Sequence, residues 1–541
     1  MNKLWYKNAL IYSLDIATFK DSNHDGIGDI RGLKHRLNYL SGLGVDCIWL
    51  LPFYDSPNKD NGYDIKDYYK IDERLGDFGD FAELVDIAEE KGIRILVDMV
   101  ANHSSDQHPW FQQARKDRNS RYRNFYIWAD EKPKNHADFV MFGELQENTN
   151  WHFDEEAGAY YYHTFYPHQP DLNMANPEVQ EEIKKVMHFW LKLGISGFRL
   201  DAVPHMVRKK GDQKFAGDPH EILRDFRDFV EGQKKDAVLL AEVDVEPERY
   251  KDFFGEEDQM NMLLNFYVDN YIFLALAREE ANPLKKALQQ LPQISRKEQY
   301  ATFLRNHDEL DLERLTAPER EEVYGVLAPD EHMRIFGRGI RRRLAPMLNN
   351  DRKRLELAFS LLFTLPGSPV LWYGQEIGMG EDLSLEGRES VRTLMQWSGR
   401  QNGGYSDAPL EKFVGKMISE GEFSYEKVNV DDQQMDPDSL LNWMRRAISF
   451  RKESPEFGWG EFEVIETNNP KVLAHCCRTK NGSAIAIHNF SQKEERAALE
   501  LKDREGFMNM FGDKIYDPFN PQEESVLLMP YGYRWLCRRQ T

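Results

Sequence analysis

Three carboxylates stand where short apolar runs end. GFRL (197–200) runs into Asp201, AVLLA (237–241) into Glu242, and YATFL (300–304) into Arg305, Asn306, His307 and Asp308. In the first run Phe198 and Leu200 alternate with Arg199, as in a buried strand, and Arg199 and Asp201 fall on one face. Buried charges are rare without partners, so each of the two accounts for the other. Alone they could be a structural ion pair closing a strand. Three carboxylates brought to one place by separate strands would repel unless they are used. The chemistry they suit is cleavage of a glycosidic bond. One carboxylate attacks the anomeric carbon, a second with raised pKa protonates the leaving oxygen, and a third stabilises an oxocarbenium-like transition state. Arg199 would hold Asp201 ionised, and His307 beside Asp308 could grip sugar hydroxyls. Tyr63, Trp110, Tyr160, Phe165 and Trp397 suit stacking on sugar faces, although each taken singly also suits a core.

The elements that must position these groups recur along the chain. Apolar runs at 9–14, 46–51, 93–100, 197–200, 237–241, 263–268, 300–304 and 369–373 mostly end in polar residues. Amphipathic helical patterns fill the gaps, among them 81–92 and 179–194, which end at Gly92 and Gly194. Strand-and-helix alternation with reactive residues at the strands' C-terminal ends predicts an α/β fold, a (β/α)8 TIM barrel. The aromatic-rich stretch 104–175 is too long for a crossover and reads as an inserted subdomain after the third strand. The stretch 309–355 reads as charged and helical, and its basic run GRGIRRRLAP (337–346) as a solvated or acid-paired helix face. Short alternating runs after about Glu463 predict a C-terminal antiparallel β-domain. The expected domains are a barrel of 1–103 and 176–450, an insert of 104–175 and a C-terminal β-sandwich of 451–541.

Composition narrows the partners. The 541 residues hold 91 Asp and Glu against 70 Lys and Arg, a net charge of −21. That excess disfavours a nucleic acid or an anionic membrane and leaves small neutral substrates open. Cys47, Cys476, Cys477 and Cys537 do not form a disulfide framework, since the adjacent pair would project to opposite faces of one strand. The opening residues lack a continuous apolar run, and no stretch approaches membrane-spanning length. The expectation is a soluble cytoplasmic protein.

Residues 21–29, DSNHDGIGD, form a second constellation. Asp21, Asn23, Asp25, the carbonyl of Ile27 and Asp29 could ring a hard cation, with Gly26 allowing the tight turn. The alternative is a polar turn held by Asx hydrogen bonds. Mutual repulsion of the stacked oxygens favours a structural Ca2+.

The stretches GYD (62–64), VANH (100–103), GFRLD (197–201), LLAEV (239–243) and FLRNHD (303–308) resemble, in order and spacing, the motifs of glycoside hydrolase family 13, the α-amylase family. The resemblance covers essentially the whole chain. It implies a retaining double displacement with Asp201 as nucleophile, Glu242 as general acid/base and Asp308 as transition-state stabiliser. It also implies that Arg199, His103 and His307 surround the sugar, that Tyr63 stacks on it, and that Asp64 holds its far hydroxyls. VRTLMQWS (391–398) resembles a segment whose arginine, here Arg392, pairs with Asp64 and closes the pocket, which implies exo action on a terminal glucose.

Within the family, SSDQHPWF (104–111), LRNHDELDL (304–312) and GIRRRLAPML (339–348) are similar to members that interconvert maltose and trehalose. An exo-acting α-glucosidase, a general α-amylase and a non-catalytic relative are the alternatives. The chain departs from the pattern at Leu394, at Val243 and Asp244, across 138–166, and in AVPHMVRKKGDQ after Asp201. In that last segment the guanidinium of Arg208 is expected to replace a second Ca2+ at Asn102 and Asp171.

Overall fold

The computed structural model describes residues 4–134, 137, 141, 149–501 and 503–539. Eight parallel strands close a barrel. In chain order they are β1 Ile11–Leu14, β2 Cys47–Leu50, β3 Arg94–Met99, β4 Gly197–Leu200, β5 Val238–Ala241, β6 Met262–Leu264, β7 Gln299–Phe303 and β8 Ser368–Trp372. Ile11 of β1 pairs with Cys47 on one side and Val370 on the other, which closes the ring. All four residues of β1, β2, β4 and β5 are buried, as expected of strands covered on both sides.

The helices between the strands follow their caps. Helix α1 (Ile30–Leu43) starts at the Asp29 side chain, which accepts from the Gly32 amide, and stops at Gly44 in the left-handed region. Helix α2 (Phe78–Glu90) begins three residues before the expected 81 because Asp77 and Asp80 form a capping box. Helix α3 (Pro177–Lys192) likewise starts early, at the Asn176 cap. The sixth apolar run splits: β6 ends at Leu264, and the Asn265 side chain accepts from the Val268 amide to open a helix over Phe266–Arg278. An Asn inside an apolar run is a cap signal that the periodicity hides.

Between β3 and α3 lies a three-stranded sheet of Trp128–Ala129, Ala159–Tyr162 and Trp151–Asp154. The stretch 309–355 is not wholly helical. Besides the helix Ala317–Leu327 it carries a small sheet in which Gly339–Ile340 pairs with both Leu310–Asp311 and Arg334–Ile335. The basic run therefore starts on a hairpin rather than a helix face, with its guanidiniums hydrogen-bonded. Arg338 bonds Asp311, Arg342 bonds Glu381, and Arg343 donates to the Tyr373 carbonyl. Residues 138–140 and 142–148 of the departing stretch 138–166 lie outside the described residues.

After the barrel, Glu461–Ile465, Val472–Thr479, Gly482–Asn489, Tyr533–Arg539 and Met508–Gly512 form an antiparallel sheet in that spatial order. Alternation decides what each face touches. Cys477, Ala484, Ala486 and Trp535 join the main core, whereas Cys476, Ile485, Ile487 and Leu536 join a separate C-terminal cluster. All four cysteines are free. No helix among the described residues is long and apolar enough to cross a membrane. Trp535 is fully buried against the barrel, and its indole N–H donates to Ser360 Oγ at 2.8 Å. Trp535→Ala is expected to lower unfolding stability by about 3–5 kcal/mol, read as a lower denaturant midpoint.

Candidate active site

Gly197 opens β4 at φ 142°, and a Cβ there would lie 2.0 Å from the Val238 carbonyl oxygen. Only glycine lets β4 pair so closely with β5, and that pairing sets the next residues. Arg199 is fully buried beneath the barrel mouth. Its Nη1 donates to Asp98 Oδ1 and to Asp201 Oδ1, both at 2.6 Å, and its Nη2 lies 3.0 Å from Glu242 Oε2. Trp49 stacks under the guanidinium and donates to Asp98 Oδ2 at 2.7 Å. Just past Asp201 the chain turns left-handed at Ala202 (φ 47°), and the Ala202 amide donates to Glu242 Oε2 at 2.8 Å. A strained residue thus links the ends of β4 and β5.

Asp308 is held from the other side. His307 Nε2 lies 3.1 Å from Asp308 Oδ2, and Arg388 and Arg392 reach Oδ1 at 2.5 and 3.2 Å. Tyr63 stacks on the His307 ring, with its hydroxyl 2.8 Å from Nε2. The charges settle unequally. Burial raises the Asp201 carboxyl to about 6 against the pull of Arg199. Burial raises Glu242 to about 7, with Arg199 opposing and the Asp201 and Asp308 charges adding. Burial would raise Asp308 too, but Arg388, His307 and Arg392 hold it well below the usual carboxylate range. Burial lowers His307 to about 4, so its ring is neutral at pH 7. At neutral pH the site holds two carboxylates and one group that can supply a proton.

Asp201, Glu242, Asp308 and Tyr63 line one cavity of about 570 Å³, together with His103, Phe165, Asp60 and Arg388. His103 Nε2 is buried and without a hydrogen-bond partner, a position that a sugar hydroxyl would satisfy. Trp110 and Trp397 are buried among other aromatic rings, and Tyr160 packs on Phe153 in the inserted sheet.

The expected pair of Asp64 with Arg392 does not form. Asp64 is fully buried and accepts from Ser56 Oγ and from the Lys59 and Asp60 amides, so it shapes the loop. Arg392 donates instead to the His307 carbonyl and to Asp308. The pair that spans the pocket is Asp60 with Arg388, at 3.0 Å, and Arg388 touches Asp308 as well. The loop that Asp64 ties down projects Asp60, not Asp64, into the cavity. No sequence signal separates Arg388 from Arg392, which lies four residues on. Asp98, a carboxylate inside the apolar run 93–100, carries the same signal as Arg199: a charge buried in a strand needs a partner.

The sequence pattern of the family described as "Alpha amylase, catalytic domain" matches residues 13–323 and 339–460. The chain belongs to the α-amylase family. A trehalose synthase/amylase of Mycolicibacterium smegmatis is 40% identical over 99% of this chain and 93% of its own length. A trehalose synthase of Pimelobacter sp. is 40% identical over 98% of this chain and 95% of its own. A mutant trehalulose synthase of Pseudomonas mesoacidophila, solved with Tris, superposes with TM-score 0.80 at 25% identity, covering 98% of this chain and 100% of that one.

This α-amylase-family chain carries a second buried charge beside the site. Lys210, not Arg208, places its Nζ 2.6 Å from Asn102 Oδ1 and 2.7 Å from Asp171 Oδ2. The ammonium stands where a cation between those oxygens would stand. Burial lowers the Lys210 pKa, with Asp171 opposing. In the loop 21–29 the carboxylates are engaged by their own backbone. Asp21 accepts from the Asn23, His24 and Gly26 amides and from Ser406, Asp25 from Ile27, and Asp29 from Ser22 and Gly32. Those are Asx turns, yet each carboxylate oxygen has two lone pairs, and an all-oxygen donor set suits Ca2+.

Lys210→Met should cost about 3–5 kcal/mol, because Asp171 would be left buried and uncompensated. A lowered thermal midpoint that Lys210→Met/Asp171→Asn partly restores would check it.

Proposed function

We propose that the protein interconverts maltose and trehalose by retaining transfer of one glucosyl unit through Asp201. What carries the reading is the Arg199 contact to both Asp201 and Glu242, joined to likeness to trehalose synthases along nearly the whole chain. Ionised Asp201 attacks C1 of the terminal glucose as Glu242 gives its proton to the glycosidic oxygen. The glucosyl–Asp201 ester forms and glucose leaves. Asp308, kept anionic by Arg388 and Arg392, stabilises positive charge near C1. Tyr63, His307 and His103 surround the glucosyl ring, and Asp60 with Arg388 takes the pocket-closing role in place of Asp64 with Arg392. Glu242, now a carboxylate, takes the proton of the 1-hydroxyl of the turned glucose as that oxygen attacks C1, and Asp201 is released. The product is trehalose. Water at the same position gives glucose, and a relative whose name joins synthase to amylase keeps hydrolysis as the second reading.

We also propose that Asp21, Asn23, Asp25, the Ile27 carbonyl and Asp29 hold a structural Ca2+ far from any bond-making step. A ligand bound only by the folded chain raises its stability. Chelation should therefore lower the melting temperature and added Ca2+ restore it; an unchanged midpoint would contradict the site.

Incubation with maltose and chromatographic resolution of the sugars tests the reaction. Trehalose is expected as the main product, and trehalose supplied as substrate should return maltose. Glucose alone would sink the isomerase reading in favour of hydrolysis.

A further inference from the structure

An enzyme that returns the glucosyl group to a sugar must keep that sugar beside the ester and keep water away. Asp244 lies two residues beyond Glu242 and lines the same cavity. Arg314 pairs there with Asp244 at 3.1 Å and with Glu246 at 3.0 Å. The same wall receives Arg338. This residue belongs to the stretch 324–338, which lies between the two matched segments of the family pattern. The stretch returns as a hairpin arm, Arg334–Ile335 against Gly339–Ile340, and docks on Leu310–Asp311 just after Asp308.

The hairpin fixes where Arg338 points. Phe336 and Gly337 both take positive φ, 56° and 63°, an uncommon conformation for a bulky residue. The Leu312 amide donates to the Arg338 carbonyl at 2.9 Å, which pins the backbone to the loop after β7. From there the guanidinium reaches three partners. Nε donates to Asp311 Oδ2 at 2.8 Å, Nη2 lies 3.7 Å from Glu309 Oε1, and Nη1 donates to the Met141 carbonyl of the inserted subdomain at 3.3 Å. Only 15% of the side chain is exposed, and it lines the same cavity as Asp201 and Glu242. Glu309 is buried, and its Oε2 has no hydrogen-bond partner. A buried acceptor of that kind on a pocket wall is completed by a ligand hydroxyl.

We propose that Arg338 is a positioning residue for the acceptor sugar: by bracing Glu309 and Asp311 on the wall beyond Glu242, it sets how often the glucosyl group passes to a sugar rather than to water. The inference rests on the transglucosylation proposed above. Both outcomes break the Asp201–C1 bond and give the nucleophile's proton to Glu242; they differ only in whether that nucleophile is a sugar hydroxyl or water. A planar guanidinium can serve three acceptors at once, and an ammonium cannot hold the same spread.

The test compares the wild type, Arg338→Met and Arg338→Lys on maltose. Trehalose and glucose are measured at equal maltose consumption, and p-nitrophenol release from p-nitrophenyl α-glucoside reports the first step. Arg338→Met should shift the product ratio toward glucose by about fivefold or more, since closing a site is what excludes water. Arg338→Lys should fall between the two. The shift should exceed any change in p-nitrophenol release, which a merely structural role would not produce. A folded Arg338→Met enzyme with the wild-type ratio overturns the proposal. Should that variant not fold, an unchanged ratio in Arg338→Lys overturns it equally. A wild type that makes no trehalose instead refutes the reaction on which the inference rests.

Discussion

The guanidinium of Arg199 is the interaction on which the site depends. It is fully buried, rests on Trp49, and meets Asp98, Asp201 and Glu242 together. One positive charge cannot neutralise three carboxylates in a water-poor setting, so at least one of them is driven to keep its proton. Asp308 escapes that competition because Arg388 and Arg392 serve it separately. What remains is a division of labour set by geometry: anionic Asp308, a nucleophile that ionises near pH 6, and Glu242 poised near 7. The barrel supplies this by ending β4, β5 and β7 at one mouth, and by the left-handed Ala202 that returns an amide to Glu242.

A few residues away the same physics serves the opposite end. Lys210 with Asp171 and Asn102 is a buried ion pair, and it knits the inserted subdomain to the barrel without chemistry. Buried ions that are balanced hold the fold, whereas buried ions left one charge short become reactive. The basic hairpin follows the first rule, with Arg342 and Arg343 spent on Glu381 and the Tyr373 carbonyl. Arg338, alone in that run, reaches the cavity where the second rule applies.

The barrel, its strands and the three carboxylates were legible in the sequence because each depends on local pattern: short apolar runs, glycine caps, and a charge placed just past a strand. Arg199 has one of its partners, Asp201, only two residues on. What depended on long-range meeting was not legible. Whether Arg388 or Arg392 closes the pocket turns on the path of a 3-10 turn at Gly387–Val391, and both residues look alike in the chain. Lys210 rather than Arg208 fills the cation position for the same reason. The resemblance supplied Asp64 as the residue holding the sugar, but the loop folds so that Asp64 supports Asp60. The run 263–268 divides between strand and helix because Asn265 caps a helix in the midst of apolar neighbours.

The central claim is that Arg199 holds Asp201 ionised while burial and the neighbouring carboxylates keep Glu242 protonated at the working pH. The most direct measurement is the pH dependence of kcat/KM for maltose beside that for α-glucosyl fluoride, whose leaving group departs without a proton. Asp201 must lose its proton, so both profiles should fall as pH drops through about 6. Glu242 must keep its proton only for maltose, so that profile alone should fall as pH rises through about 7. An alkaline fall shared by the fluoride, or an acid limb absent from both, would contradict the account.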